Sequence, residues 1–372
     1  VLRSSLLIQL RGNTKNFTNG FVSSRKRILI LYSEFMPYNL VVWEVLKKKY
    51  DCDLHVVFWD HKKLSPYQYA GNEFNFYPRS LFETQALMEL YTKIDPNMLV
   101  VSGRMDASYL VVAKFARARG IPTVMASDKQ WSNSVRDWIA CVFRKFLYSK
   151  YFTHAWVAGD RQRLYARKVG FKADKIVVGV YCCDLQLFRN FYRVGKNLSD
   201  VLFVGRIEKT KGIDLLVSAL IQLRHEGIFN GHLKLVGNGS FETSLPRHSW
   251  ITHKNFLDQS ELRNEVIGTR IFCLPSRYEP WGVVVHEMAA AGLLICCSSA
   301  CGAADDFVIH KANGYIFKVG SLEDLTNGLR YLFTLSDSQV GEMQKLSVSL
   351  SNKVTPEFSA SQLMSIFDQC AE

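Results

Sequence analysis

Two doubly wound α/β units in tandem, facing each other across a cleft, are the architecture this sequence predicts. Three observations carry that expectation. Short apolar runs alternate with amphipathic stretches along most of the chain. The alternation weakens once, near the middle, and then resumes. The run Arg270-Ile-Phe-Cys-Leu274 ends at Pro275-Ser276 ahead of a helical stretch, as a buried parallel strand does where open sheets bind their ligands.

The 372 residues suit two or three domains, and 48% apolar with 22% charged residues is the balance of an ordinary globular chain. No apolar run reaches the length of a membrane span. Residues 1–24 carry a short, broken apolar patch and scattered basic residues, and read as a tail or irregular lead-in rather than a signal peptide. With no initiator Met, the chain is read as starting inside its gene or after processing.

Strands are expected at Arg27–Ser33, Leu54–Trp59, Met98–Ser102, Thr123–Ala126, His154–Ala158 and Lys175–Val180, with helices near Asn39–Lys49 and Tyr109–Arg119. The linker falls in Leu185–Ser199. A second series follows: strand Val201–Val204, helix Ile213–His225, then strands Leu233–Val236, Arg270–Leu274, Leu293–Cys297 and Tyr315–Phe317. The domains are therefore set at 25–190 and 191–355, with a last helix from Pro356 to Cys370. The nine cysteines are scattered, without a C-x-x-C pair, and mostly fall in strand-like runs. They read as buried apolar residues of a reducing cytoplasm, not as a disulfide framework or a zinc site.

The stretch Ser276–Gly292, SRYEPWGVVVHEMAAAG, organises the rest. Glu279 sits in a tight loop, Pro280 pre-sets φ for a helix from about Trp281 to Ala291, and Gly292 stops it. Glu287 lies two to three turns on, so both carboxylates can line one cleft. Carboxylates are acceptors only, which suits a ligand rich in hydroxyls. Upstream, Gly205 makes a turn after strand Val201–Val204, Arg206 follows it, and Lys211-Gly212 opens a helix. A guanidinium grips a diphosphate bidentately and an ammonium adds a point charge. Gly237-Asn-Gly239 is a further turn, short of a dinucleotide fingerprint.

Glu279-Pro-x-Gly-x4-Glu287 resembles the E-x7-E signature of retaining, two-domain GT-B glycosyltransferases of family 4. Phe203-Val-Gly-Arg206-x4-Lys211-Gly212 resembles that family's phosphate-binding loop at the expected distance. The resemblance spans roughly residues 200–335, with the first half alike only in layout. It implies two Rossmann-like sheets and a terminal helix that crosses back onto the first domain. It gives Arg206 and Lys211 the neutralisation of a departing nucleoside diphosphate without metal. It gives Glu287 the ribose hydroxyls, and Glu279 with the amides near Gly282 the donor sugar. Pro280, Trp281, Gly205, Gly237 and Phe256 complete the donor-binding set, Phe256 through backbone contacts of Asn255–Leu257 to the base.

The first half departs from the family. Where many relatives have a Gly-Gly loop, this chain reads Ser33-Glu-Phe-Met-Pro37-Tyr-Asn39. Where many have a His, it has Asp128, which either orients a hydroxyl of acceptor or donor or caps the next helix. Asp51-Cys52-Asp53 precedes its strand and reads as a solvated loop, and no metal or cofactor is expected. His286 reads as a packing or surface residue.

Residues 1–196 carry 31 Lys and Arg against 15 Asp and Glu, whereas 197–372 carry 15 against 19. The basic half suits an anionic membrane surface, a phosphorylated lipid acceptor or nucleic acid, or its cations merely solvate outer helices. Without interleaved Arg–aromatic motifs, nucleic acid is the weakest of these. Val135–Tyr151 is amphipathic, with Val135, Trp138, Ile139, Val142, Phe143 and Phe146 on one face. Core packing is the first reading of that face, and a membrane-surface helix the alternative.

The expectation is a retaining glycosyltransferase moving a sugar from a UDP- or GDP-type donor to a glycan or lipid-linked acceptor, cytoplasmic or peripheral on a membrane. The alternatives are a GT-B epimerase or phosphorylase, and a catalytically silent subunit that binds a nucleotide sugar or a membrane.

Overall fold

The computed structural model describes residues 25–60, 67, 71, 73–131, 134–189 and 200–371. Residues 1–24, and most of the linker placed at Leu185–Ser199, lie outside them. In chain order the first unit runs β1 (Arg27–Tyr32), α1 (Pro37–Tyr50), β2 (Asp53–Phe58), β3 (Asn75–Pro78), α2 (Thr84–Ile94), β4 (Met98–Ser102) and α3 (Ala107–Ala118). It continues through β5 (Thr123–Ser127), α4 (Val135–Tyr151), β6 (His154–Val157), α5 (Asp160–Lys168) and β7 (Ile176–Val178). After a short α6 (Leu185–Phe188), the second runs β8 (Asp200–Val204), α7 (Ile213–His225), β9 (Leu233–Val236), β10 (Ile251–Lys254), α8 (Gln259–Val266), β11 (Thr269–Leu274) and α9 (Val283–Ala290). It closes with β12 (Leu294–Ser298), α10 (Ala304–Phe307), β13 (Gly314–Phe317), α11 (Leu322–Phe333), α12 (Asp337–Ser351) and α13 (Pro356–Ala371).

The first sheet has the order β3-β2-β1-β4-β5-β6-β7 and the second β10-β9-β8-β11-β12-β13, with every pairing parallel. Two Rossmann-like α/β units are thus in place. Inner strands such as β4 and β12 are apolar and buried because helices cover both faces, whereas the edge strand β10 is mostly exposed. In β1, Ile28, Ile30 and Tyr32 enter one buried cluster while Leu29 and Leu31 enter the other. The strand order reverses between β1 and β4, and again between β8 and β11, so a crevice opens at the carboxyl ends of those strands. Helix α13 lies against α1 of the first unit: Met364 Sδ is 3.7 Å from Cys52 Sγ, and the Lys26 ammonium sits 4.8 Å above the Phe367 ring.

Two sequence expectations are corrected. Helix α9 starts at Val283, not Trp281, because Gly282 caps it with φ 92°. That left-handed turn leaves Pro280 in the loop, outside the first helical turn. In α4, four residues of the expected core face, Val135, Trp138, Phe143 and Phe146, are exposed, and the side chains of Ile139 and Val142 lie outside the described ones. The helix is instead seated through Cys141 and Tyr148, whose groups bond Lys168 O (2.6 Å) and the Tyr165 hydroxyl (3.1 Å).

Candidate active site

A cleft of about 700 Å³ lies between the carboxyl ends of the two sheets. It is lined by Arg206, Lys211, Glu279, Glu287 and Asp128, together with Gly205, Gly237, Trp281, Gly282 and Phe256. Pro280 lies behind this lining, where its carbonyl accepts a hydrogen bond from Gln162 Nε2.

Local chain chemistry builds the second unit's wall. After β8 the chain turns through Gly205, and a 3₁₀ turn at Lys209–Lys211 leads into Gly212, which caps α7 with φ 72°. A Cβ on Gly212 would stand 2.0 Å from the Pro275 carbonyl oxygen. Only glycine lets this turn seat against the end of β11, which brings Lys211 to Glu279. Arg277 fastens the same two segments: it forks onto Asp214 (2.8 and 2.7 Å) and donates to Lys209 O (2.6 Å). The Lys211 ammonium lies 2.6 Å from Glu279 Oε2, which also accepts from Ser276 Oγ at 3.2 Å. Both charged side chains are nearly buried, at 13% and 11% exposure, so each depends on the other. Arg206 stays half-exposed, 3.0 Å from Glu208.

Glu287 projects from the second turn of α9 and accepts from Gln259 Nε2 at 3.1 Å. Burial pushes its carboxyl up to about 7; the Gln259 hydrogen bond opposes this and the Asp184 charge adds to it. Across the glycine turn, Asn238 Oδ1 accepts from the Phe256 amide (2.6 Å), holding that loop against the cleft.

The first unit contributes different groups. The loop after β1 has no glycine, and Phe35 anchors it by stacking on Phe76 at 4.9 Å, while Glu34, Met36 and Tyr38 line the cleft. Tyr38 and Tyr181 meet edge to face at 4.9 Å. Tyr181 shares a hydrogen bond with the buried Tyr32, and burial lifts all three phenols above their ordinary range. Asp128 follows β5. Burial raises its carboxyl, its own backbone N–H lowers it, and the Glu279 charge raises it again. Asp128 does not directly precede α4, which begins at Val135, so it is not that helix's N-cap. Beside it, Gln130 Nε2 crosses between the units to Ala300 O (3.2 Å) and Glu279 O (3.5 Å).

The remaining sequence candidates fall away from the chemistry. His286 is buried, stacked 4.1 Å from Phe307, and bonded to the Cys183 amide (3.3 Å) and Ser351 O (2.8 Å). Burial lowers its pKa to about 4 and keeps it neutral. Asp51 terminates α1 and Asp53 bonds His55 (3.1 Å) and Asn75 (3.2 Å). Arg277, Gln259, Gln130, Tyr38 and Tyr181 were not anticipated. Arg277 adjoins the Ser276–Gly292 motif, whereas Gln130 and the tyrosines carry no local signal.

The arrangement can hold an anionic diphosphate at Arg206 and Lys211, with acidic acceptors for hydroxyls to either side. Comparison with known proteins agrees on the second unit. The family described as Glycosyl transferases group 1 matches residues 186–345. An uncharacterized glycosyltransferase of Methanocaldococcus jannaschii is 30% identical over 136 residues, and the match spans 34% of this chain and 34% of that protein's length. A glycosyltransferase of Rickettsia africae superposes with TM-score 0.72 at 15% identity, covering 94% of this chain and 99% of that one. Anabaena HepE in complex with UDP gives 0.71 at 15% identity, covering 92% and 100%. Residues 186–345 thus match the glycosyl transferases group 1 family, and the two-sheet scaffold is of the GT-B type.

Proposed function

We propose that the protein is a retaining glycosyltransferase of family 4 type that transfers a sugar from a UDP- or GDP-sugar to a hydroxyl of a glycan or lipid-linked acceptor. The convergence of Arg206, Lys211, Glu279 and Glu287 on one cleft supports this reading. Arg206 and Lys211 take up the charge that grows on the departing diphosphate, so no metal or cofactor is invoked. Glu279 accepts from the donor sugar's hydroxyls and is itself held by Lys211 and Ser276. Glu287 with Gln259 takes the ribose. The departing phosphate accepts the acceptor's proton on the face it leaves, and Asp128 orients the incoming hydroxyl. The cytoplasm is the proposed site of action.

The reading is tested by nucleoside diphosphate release across a panel of nucleotide sugars, with and without a chelator. Arg206→Ala and Glu279→Ala should each lower kcat by about 10²–10³, the scale of a lost transition-state contact. Turnover that survives both substitutions would sink the assignment. Tight binding without turnover, even with acceptors supplied, would favour a silent binding subunit.

A further inference from the structure

We propose that the outer face of α4 docks this protein onto an anionic lipid bilayer. The proposal is independent of the donor chemistry, and its readout is separate.

Four large apolar side chains on this one helix point into solvent: Val135 (75% exposed), Trp138 (54%), Phe143 (72%) and Phe146 (77%). At 100° per residue they fall on one side of the helix, opposite the Cys141 and Tyr148 positions that seat it. Burying such groups against the body of the protein is the normal outcome. A helix that seats itself through Cys141 and Tyr148 and presents these aromatics outward has a contact still to make. From Val135 to Phe146 these side chains are strung along about 17 Å of the helix. Two apolar groups on adjoining elements, Met105 (72%) ahead of α3 and Leu164 (51%) on α5, are exposed as well.

Charge selects the partner. Residues 107–172, which hold α3, α4 and α5, contain thirteen Lys and Arg against three Asp, a net of +10. Most of the first half's excess thus lies in the segment of chain that carries this face. The Lys168 ammonium stands 4.3 Å above the Trp138 ring, so a cation is already placed beside an exposed aromatic. Basic side chains flanking outward aromatics are the make-up of an interfacial helix, with rings at headgroup depth and cations on lipid phosphates. A second copy of the chain fits worse, because two faces of this charge would repel. Placement also suits the task. Helix α4 begins seven residues after Asp128 of the cleft lining, so docking through α4 would hold the bilayer on the first unit.

The test is sedimentation of the full chain with vesicles of phosphatidylcholine alone or with about 30% phosphatidylserine. The phosphatidylserine vesicles should bind the chain, and added salt should weaken that binding. The combined Trp138→Ser, Phe143→Ser and Phe146→Ser variant should lose at least about tenfold in partition, while Leu81→Ser, an exposed apolar residue elsewhere, should change nothing. Circular dichroism and nucleotide binding report whether the triple variant folds. If it does not, Lys114→Gln with Lys150→Gln serves instead, and should lose severalfold. Absence of binding to phosphatidylserine vesicles, or equal binding by folded variants, overturns the proposal. A concentration-dependent dimer that the triple variant abolishes, without vesicle binding, would reassign the face to a second copy of the chain.

Discussion

The two sheets share one strand order, yet the walls they present to the cleft are made differently. The second unit's wall is backbone brought close by glycine, with charged side chains fixed at the turns: Gly212 against Pro275, Lys211 against Glu279, Arg277 across both. The first unit's wall is side-chain bulk. Phe35 anchors the loop after β1, and Tyr38 and Tyr181 meet edge to face at the cleft. A phosphate-rich ligand needs amides and cations, and only the second wall supplies them densely. The first wall offers aromatic faces and acids, which suit the apolar faces and hydroxyls of a sugar. Under the proposed function, the diphosphate would take the second wall and the acceptor the first.

Breaking the glycine wall should have the largest effect. Gly212→Ala places a Cβ 2.0 Å from a backbone oxygen and holds it at φ 72°. Backbone cannot yield as a flexible side chain can, so the loss should be of order 3–5 kcal/mol. Thermal unfolding should show a midpoint lowered by several degrees, with nucleotide binding lost. A variant that melts like the wild type would mean the turn shifts freely and the wall is not rigid. On the first wall, Met36→Ala changes only side-chain bulk in a glycine-free loop and should leave the midpoint nearly unchanged.

Much of this contrast was legible in the chain. Gly205, Arg206, Lys211, Gly212, Glu279 and Glu287 can be read because close approach demands glycine and charge at fixed spacing. Strands such as Met98–Ser102 and Leu233–Val236 match their apolar runs residue for residue. The first wall was legible only at Asp128, since Tyr38, Gln130 and Tyr181 join it only through the strand order. The orientation of α4 stayed open in the sequence for a different reason. Periodicity says which residues share a face but not whether that face turns inward, and Cys141 and Tyr148 make the inward contact.

A smaller effect sharpens the comparison through pH. Glu287 rises to about 7 from an ordinary 4.5 because the second wall buries it. A carboxyl raised in the folded state stabilises fully below its unfolded value. That contribution is lost as pH climbs from about 4.5 through 7. At about 1.4 kcal/mol per unit, the wild type should lose on the order of 3 kcal/mol across that window. Glu287→Gln, which stays neutral and can still accept from Gln259, should flatten this slope in urea unfolding followed from pH 4 to 8. An unchanged slope would mean that water reaches the carboxylate and that the wall is wetter than its packing suggests.

The smallest effect belongs to the first wall. Tyr181→Phe keeps the ring that meets Tyr38 and removes only the hydroxyl shared with Tyr32. One buried neutral hydrogen bond is worth about 1 kcal/mol, and the Tyr32 hydroxyl keeps a partner in Asn39 at 3.3 Å. Nucleotide binding should therefore stay at its wild-type strength, while the acceptor's KM rises a fewfold with little change in kcat. Loss of nucleotide affinity in this variant would break the division proposed here, because it would tie the tyrosine wall to the diphosphate. A change confined to the acceptor would support it, since a wall built of side chains can be altered one hydroxyl at a time without moving the backbone proposed to grip the phosphate.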